Sequence, residues 1–191
     1  MLPYDRCPHD IVKSVQQRWL LACWSRVRGV APLPLSSEFG LDKIADCRDD
    51  LSIIDVGSEN GFHRFRIFDH GKNVGAMFAG QCAGKPLIET LPEAAREHTL
   101  ETYEHAVRSR MPVYTVSRVT DAGERPVLYE RLLLPLGDSQ GRVVRILALL
   151  ETISTEGTID RQNLMTGPQL GNRYIVKAEL HTPAPDLAVS V

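Results

Sequence analysis

Residues 112–154 hold three consecutive runs suited to extended backbone, and no other part of the chain narrows the fold as much. The runs are PVYTVSRVT (112–120), VLYERLLLPL (127–136) and RVVRILALLETIS (142–154). They are separated by Asp121-Ala122-Gly123 and by the five-residue turn Gly137-Asp138-Ser139-Gln140-Gly141. β-Branched and aromatic residues bounded by short Gly-containing turns specify an antiparallel meander. The last two runs are apolar at both parities, the pattern of strands covered on both faces. One face is expected to carry short helices, and the other needs a second cover.

Upstream, LSIIDV (51–56) and FHRFRIFD (62–69) flank Gly57-Ser58-Glu59-Asn60-Gly61 and predict a β-hairpin. A short helix is expected over 42–48. Residues 71–92 are Gly-rich with short apolar steps, which suits short helices joined by turns. A longer helix is predicted over 92–110, with Pro92 near its first turn and Glu93 and Glu97 placed to suit the helix dipole. The order is helix, hairpin, short helices, longer helix, three strands. It predicts an α+β fold: a five-stranded antiparallel sheet, short helices on one face and an N-terminal helix.

Residues 10–28 lack Gly and Pro and read as that N-terminal helix, with Asp10 as N-cap. On a helical wheel Ile11, Val12, Val15, Trp19, Cys23 and Val27 share one broad face, while Leu21 and Trp24 fall nearly opposite. A helix apolar on two sides has two things to cover. Trp19, Leu21 and Trp24 are therefore candidate interface residues. In the tail, NRYIVKAEL (172–180) is the segment with structural promise, as an edge strand or docking element. The expected division is 1–48 helix and linker, 49–154 core domain, 155–191 extension.

Composition excludes more than it selects. There are 22 basic and 24 acidic residues, a net charge of −2, so no basic face for nucleic acid is expected. No apolar run reaches membrane-spanning length, and the opening MLPYDRCPHD is unlike a secretory leader. A cytoplasmic protein with no membrane partner is expected. Cys7, Cys23, Cys47 and Cys82 lack metal-ligand spacing and read as free thiols.

Three segments carry a family resemblance. Tyr129-Glu130-Arg131-Leu132-Leu133-Leu134-Pro135-Leu136, with the turn and the run Arg142–Leu147 after it, has an E-x-L-x-L-P-L closing-hairpin pattern. Gly80-Gln81-Cys82-Ala83-Gly84-Lys85-Pro86-Leu87 resembles a turn after short helices. Trp24-Ser25-Arg26-Val27-Arg28-Gly29 precedes a linker with Pro32 and Pro34. Over about residues 19–152 the chain resembles a PAS domain, and in particular the bacterial single-domain PAS proteins with an N-terminal Trp/Arg helix. The resemblance implies a ligand pocket between the sheet and the short helices.

The residues do not point to a known PAS prosthetic group. His98 and His105 fall on the expected solvent side of the longer helix, away from the Leu100, Tyr103 and Val107 stripe, which argues against haem ligation. Cys82 lacks the Asn-Cys-Arg-Phe-Leu-Gln surroundings of a flavin-reactive cysteine. No nucleophile elbow, zinc-protease motif or phosphate loop is present, so no catalytic residue is assigned and the cofactor stays open. Glu130 stands out because its parity-mates Leu128, Leu132, Leu134 and Leu136 are apolar. A carboxylate in such a row must be paired, protonated or exposed at an edge, and Arg64, Arg66, Arg118 or a ligand are the options for a partner.

Phe78, Tyr103, Tyr114, Glu130, Leu132 and Leu134 are the candidate ligand-binding residues. The function expected is a non-enzymatic sensory or regulatory module binding a small molecule or a partner protein and signalling through homodimer or protein contacts. A ligand-free scaffold with a filled core is the alternative, and a cystatin-like α+β barrel enzyme is a further one. A cavity of several hundred cubic ångströms would favour sensing.

Overall fold

The computed structural model describes residues 3–78, 80–120, 125–154, 161–162, 164–165 and 173–181. Seven strands form one sheet: β1 (Asp5–Pro8), β2 (Leu51–Glu59), β3 (Phe62–His70), β4 (Val113–Thr120), β5 (Pro126–Gly137), β6 (Val143–Ser154) and β7 (Arg173–His181). The helices are α1 (Val15–Arg28), α2 (Lys72–Met77), α3 (Leu87–Thr90) and α4 (Glu93–Ser109), with a 3-10 segment over Leu41–Asp50.

The strand order is β1-β7-β4-β5-β6-β2-β3. The five expected strands, β2 to β6, form a contiguous antiparallel block. The sheet nevertheless has seven strands and is mixed, because β7 adds antiparallel to β4 and β1 adds parallel to β7. β7 is thus an inner strand and not the edge strand expected of residues 172–180. The described parts of both flanking segments enter the same core as the meander: Leu20, Trp24 and Cys47 before it, Leu164, Met165 and Leu180 after it.

Both faces of the sheet are covered, as the doubly apolar strands require. Directly opposed residues share a face. Leu51, Leu149 and Leu132 form one such row, with Glu130 opposite Glu151 in the next. This is the α1 face, since the Ser14 hydroxyl donates to Glu151 Oε1 at 3.1 Å. Tyr129 and Arg131 project to the other face, under α2, α3 and α4.

α1 begins at Val15, five residues after the expected Asp10 cap. Ser14 is the N-cap, its Oγ accepting from the Gln17 N–H at 3.3 Å, and Gly29 closes the helix at φ 54°. The helix turns the opposite side inward from the one the wheel selects. Gln17, Leu20, Leu21 and Trp24 are buried, whereas Val15 is 72% and Trp19 38% exposed. Ile11 and Val12 lie outside the helix and gave the other stripe its weight. The Trp24 indole N–H donates to the Pro135 carbonyl at 2.8 Å, which satisfies its polar edge inside the core. Leu21 and Trp24 are therefore internal packing and not an intermolecular surface; Trp19 remains outside.

Candidate functional site

The crevice between the sheet and α2–α4 is built from short elements held at their ends. The Gly71 amide donates to Leu51 O at 2.8 Å, bringing the start of α2 against β2. The Cys82 amide reaches the His70 ring at 3.0 Å, and Gly84 N–H reaches Ile67 O at 2.7 Å, which folds residues 80–84 back over β3. Pro92, in extended conformation, caps α4. That helix lays Thr99 and Tyr103 over Tyr129 and Arg131.

The enclosed space is a cavity of about 20 Å³, walled by apolar residues that include Val74, Phe78, Leu87, Leu91 and Leu150 and by the polar Ser52, His70, Thr90, Thr99, Tyr103, Tyr129 and Arg131. A void of that size holds about one water molecule. Larger hollows are open surface clefts, one of about 390 Å³ between β3 and α3–α4 beside Arg64 and Ile88, another of about 590 Å³ beside Arg108, Arg110 and Arg142.

Of the six residues expected to bind a ligand, Phe78 and Tyr103 line this cavity. Tyr114, Glu130, Leu132 and Leu134 do not. Tyr114 lies opposite Leu132 in the β4–β5 register, and Glu130 and Leu134 share its parity, so all four are on the α1 face. Period-two alternation states which residues share a face, but with both faces apolar it does not state which face lies under the helices. Tyr129 and Arg131, immediately beside Glu130 in sequence, occupy the helix side. The signal that could have found them is a lone arginine in the apolar run 131–136.

Arg131 is 4% exposed, and no carboxylate among the described residues pairs with it. Its guanidinium carbon lies 5.2 Å from the Tyr129 ring centre and 5.9 Å from that of Tyr103, within cation–π reach. Nη1 of Arg131 and the Tyr129 hydroxyl are buried without a hydrogen bond of good geometry, and the nearest polar group to each is the other side chain. Burial works against the Arg131 charge, but the phenols of Tyr129, Tyr174 and Tyr103 offset it and the group stays protonated. Burial likewise pushes the Tyr103 and Tyr129 hydroxyls above the usual phenol range, with Arg131 opposing. Nearby, Lys177 is satisfied: Nζ donates to Glu101 Oε1 at 3.1 Å and lies 4.2 Å from the Tyr4 ring centre.

His98 and His105 are not solvent-facing, because β7 and β1 extend the sheet beneath that side of α4. His105 stacks on Tyr4 at 3.7 Å and its Nε2 lies 3.2 Å from Glu179 Oε2; His98 meets Tyr174 edge-on at 6.3 Å. Burial lowers the His105 pKa, with Glu179 opposing. Among the described residues no His/Cys/Asp/Glu cluster suits a metal ion, and no helix is long and apolar enough to cross a membrane. The four cysteines are free. Burial pushes the Cys47 thiol up to about 12 and raises that of Cys82, so neither is a poised nucleophile.

Glu130 finds its partners on the α1 side. Burial raises its pKa, while Tyr114 and Lys13 favour the charged form. None of the expected arginines is used: Arg64 pairs with Glu59, Arg66 donates to Gly84 O, and Arg118 is exposed. Glu151, directly opposite, is also raised by burial. A carboxylate with a raised folded-state pKa binds protons more readily in the native state, so its burial is tolerated near pH 4.5 and opposed as pH rises through the folded value. Glu130→Gln is expected to raise the thermal midpoint by a few degrees at pH 7–8 and to lose that advantage on acidification. Melting curves across pH check this; an advantage that grows towards acid would contradict the assignment.

The chain matches the family described as PAS domain over residues 12–151. It belongs to the PAS family. Membership places it among sensory and regulatory modules, and the matched residues run from before α1 into β6. Similar solved structures include the light-state blue-light photoreceptor Aureochrome1 LOV, with 12% identity, TM-score 0.42 and coverage of 61% of this chain and 90% of that one. An RNA-binding light-oxygen-voltage receptor shows 12% identity and TM-score 0.45 over 63% of this chain and 34% of that one. The PAS domain of a Colwellia psychrerythraea protein shows 16% identity and TM-score 0.44 over 61% of this chain and 98% of that one. No curated protein matches by sequence.

Proposed function

We propose that this PAS protein is a non-enzymatic regulatory module in which a small polar molecule occupies the crevice between the sheet and α2–α4 and biases contacts with other protein surfaces. The observation that carries the reading is the pair of buried groups at the cavity, Arg131 Nη1 and the Tyr129 hydroxyl, neither of which makes a hydrogen bond of good geometry. A buried donor without an acceptor costs stability, and a ligand that supplies the acceptor recovers it. The cavity of about 20 Å³ is far below the several hundred cubic ångströms of a preformed ligand pocket, so a bound molecule must be small and must open the crevice as it enters.

Native mass spectrometry of freshly purified protein tests the reading. A bound mass below a few hundred daltons, released on denaturation, is expected. The small cavity also favours a second reading, a shut scaffold that works through its surface. A mass equal to the bare chain, with no stabilisation by any small molecule, would select it. In both readings the contact surface includes the exposed Val15 and Trp19, one turn apart on α1, and a homodimer is the partner proposed for it. Trp19→Glu is expected to lower the mass measured by light scattering without lowering the melting temperature; unchanged mass rules this face out.

A further inference from the structure

We infer that the core ligand is a short-chain aliphatic monocarboxylate, bound head-first to Arg131; this rests on the small-molecule reading above. Three observations converge. First, the charge count at the site leaves one cation over. Lys177 and Glu101 neutralise each other at 3.1 Å, and no described carboxylate answers Arg131. One uncompensated positive charge calls for a monoanion, since a dianion would leave a buried negative charge in its place.

Second, the donors suit a planar head. A guanidinium offers parallel N–H groups that match the two oxygens of a carboxylate. Nη1 of Arg131 is buried without a hydrogen bond of good geometry on a residue that is 4% exposed, and the neighbouring Tyr129 hydroxyl can donate alongside it. The aromatic faces of Tyr129 and Tyr103 steady the cation but cannot accept a hydrogen bond in the plane of the fork. Third, Ile67, Val74, Leu87, Leu91 and Leu150 supply the cavity with aliphatic wall, alongside the small polar Ser52, Thr90 and Thr99. The aliphatic part of that wall suits a short hydrocarbon tail.

The cavity as it stands holds about one water, so the tail is short. A ligand larger than one water enters only if the wall opens, and the partly buried Phe78, which follows α2 and lines the cavity, is the residue assigned to that movement. Occupancy is thereby linked to the position of α2, which packs against the Leu41–Asp50 segment, itself in contact with α1. The same linkage connects the anion site to the outer face of α1.

The test compares acetate, propionate and butyrate with their uncharged amides, and with inorganic phosphate, by thermal shift and calorimetric titration on the full chain. The carboxylates are expected to raise the melting temperature dose-dependently, and the amides and phosphate to leave it unchanged. Arg131→Gln is expected to weaken carboxylate binding about 10- to 100-fold, the range for a lost charged hydrogen bond. Should that variant not fold, Arg131→Lys, which keeps the charge and loses the fork, and Tyr129→Phe are expected to weaken it by smaller factors. Equal responses to carboxylates and amides, a response to phosphate alone, or full carboxylate binding by Arg131→Gln overturns the inference. Native mass spectrometry separates the two readings. A bound neutral molecule without a carboxylate response overturns this inference and leaves the regulatory site standing. Bare protein that responds to nothing overturns both.

Discussion

Trp24→Ala is expected to lower the thermal midpoint by roughly 10 °C, the equivalent of about 3–5 kcal/mol for a buried tryptophan in a chain of this size. Trp24 has no exposed surface, and its indole N–H is the donor to the Pro135 carbonyl at 2.8 Å. Truncation opens a void beneath α1 and leaves that carbonyl without its partner. Trp24→Phe keeps most of the ring volume and should cost less, with the lost hydrogen bond worth about 1 kcal/mol. Calorimetry or thermal circular dichroism reads the shift, and light scattering run alongside reads the mass. A midpoint within a couple of degrees of the parent, with altered mass, would return Trp24 to an intermolecular role and would mean that α1 is not docked on its own sheet.

Gly71→Ala is the second severe change, and its cause lies in the backbone. A Cβ at Gly71 would sit inside contact distance of the carbonyls of Arg48 and Asp49, neither of which belongs to a side chain that can rotate away. The φ of −76° is ordinary, so backbone strain is not the issue; the close approach of two chains is. Either the Leu41–Asp50 segment lifts off or α2 shifts, and both moves break the Gly71 N–H bond to Leu51 O. A loss of about 3 kcal/mol, the upper end for overpacking, is expected. Gly57→Ala provides the control, since a Cβ there meets nothing nearer than 3.9 Å. If the two variants melt alike, the junction is looser than the close approach implies. Because α2 forms one wall of the cavity, Gly71→Ala should also weaken whatever binds there.

These two residues illustrate what could be read in advance. The strands β2 to β6 are visible as apolar, β-branched runs with turn residues between them, and their order with the helices, together with the segments 24–29, 80–87 and 129–147, carries the PAS resemblance. β1 was invisible because a four-residue strand that ends in Pro8 has no periodicity to detect. β7 was visible as a run, but its place between β1 and β4 depends on pairing with distant residues. The wheel selects the wrong face of α1 because Ile11 and Val12 lie outside the helix, while Gln17 is buried with its side-chain amide donating a hydrogen bond to Leu149 O at 3.2 Å. For the site, Phe78 and Tyr103 could be named from their elements. Glu130 drew attention as the odd residue of its row, yet its two sequence neighbours face the cavity. Alternation alone cannot choose between two buried faces of one sheet.

The pairing of β1 with β7 also bears on how the chain acquires its shape. Asp5 and Ala178 are partners across roughly 170 residues, a very long loop to close, and contacts of that separation form late. A growing chain completes the meander while β7 is still unmade, so the outer edge of β4 stays open until then. Its unpaired amides and carbonyls are in that interval a template for a strand of another molecule. Slow synthesis or loss of residues beyond 172 therefore exposes a sticky border on an otherwise finished core, and aggregation propensity should depend more on β7 than on any residue of the cavity.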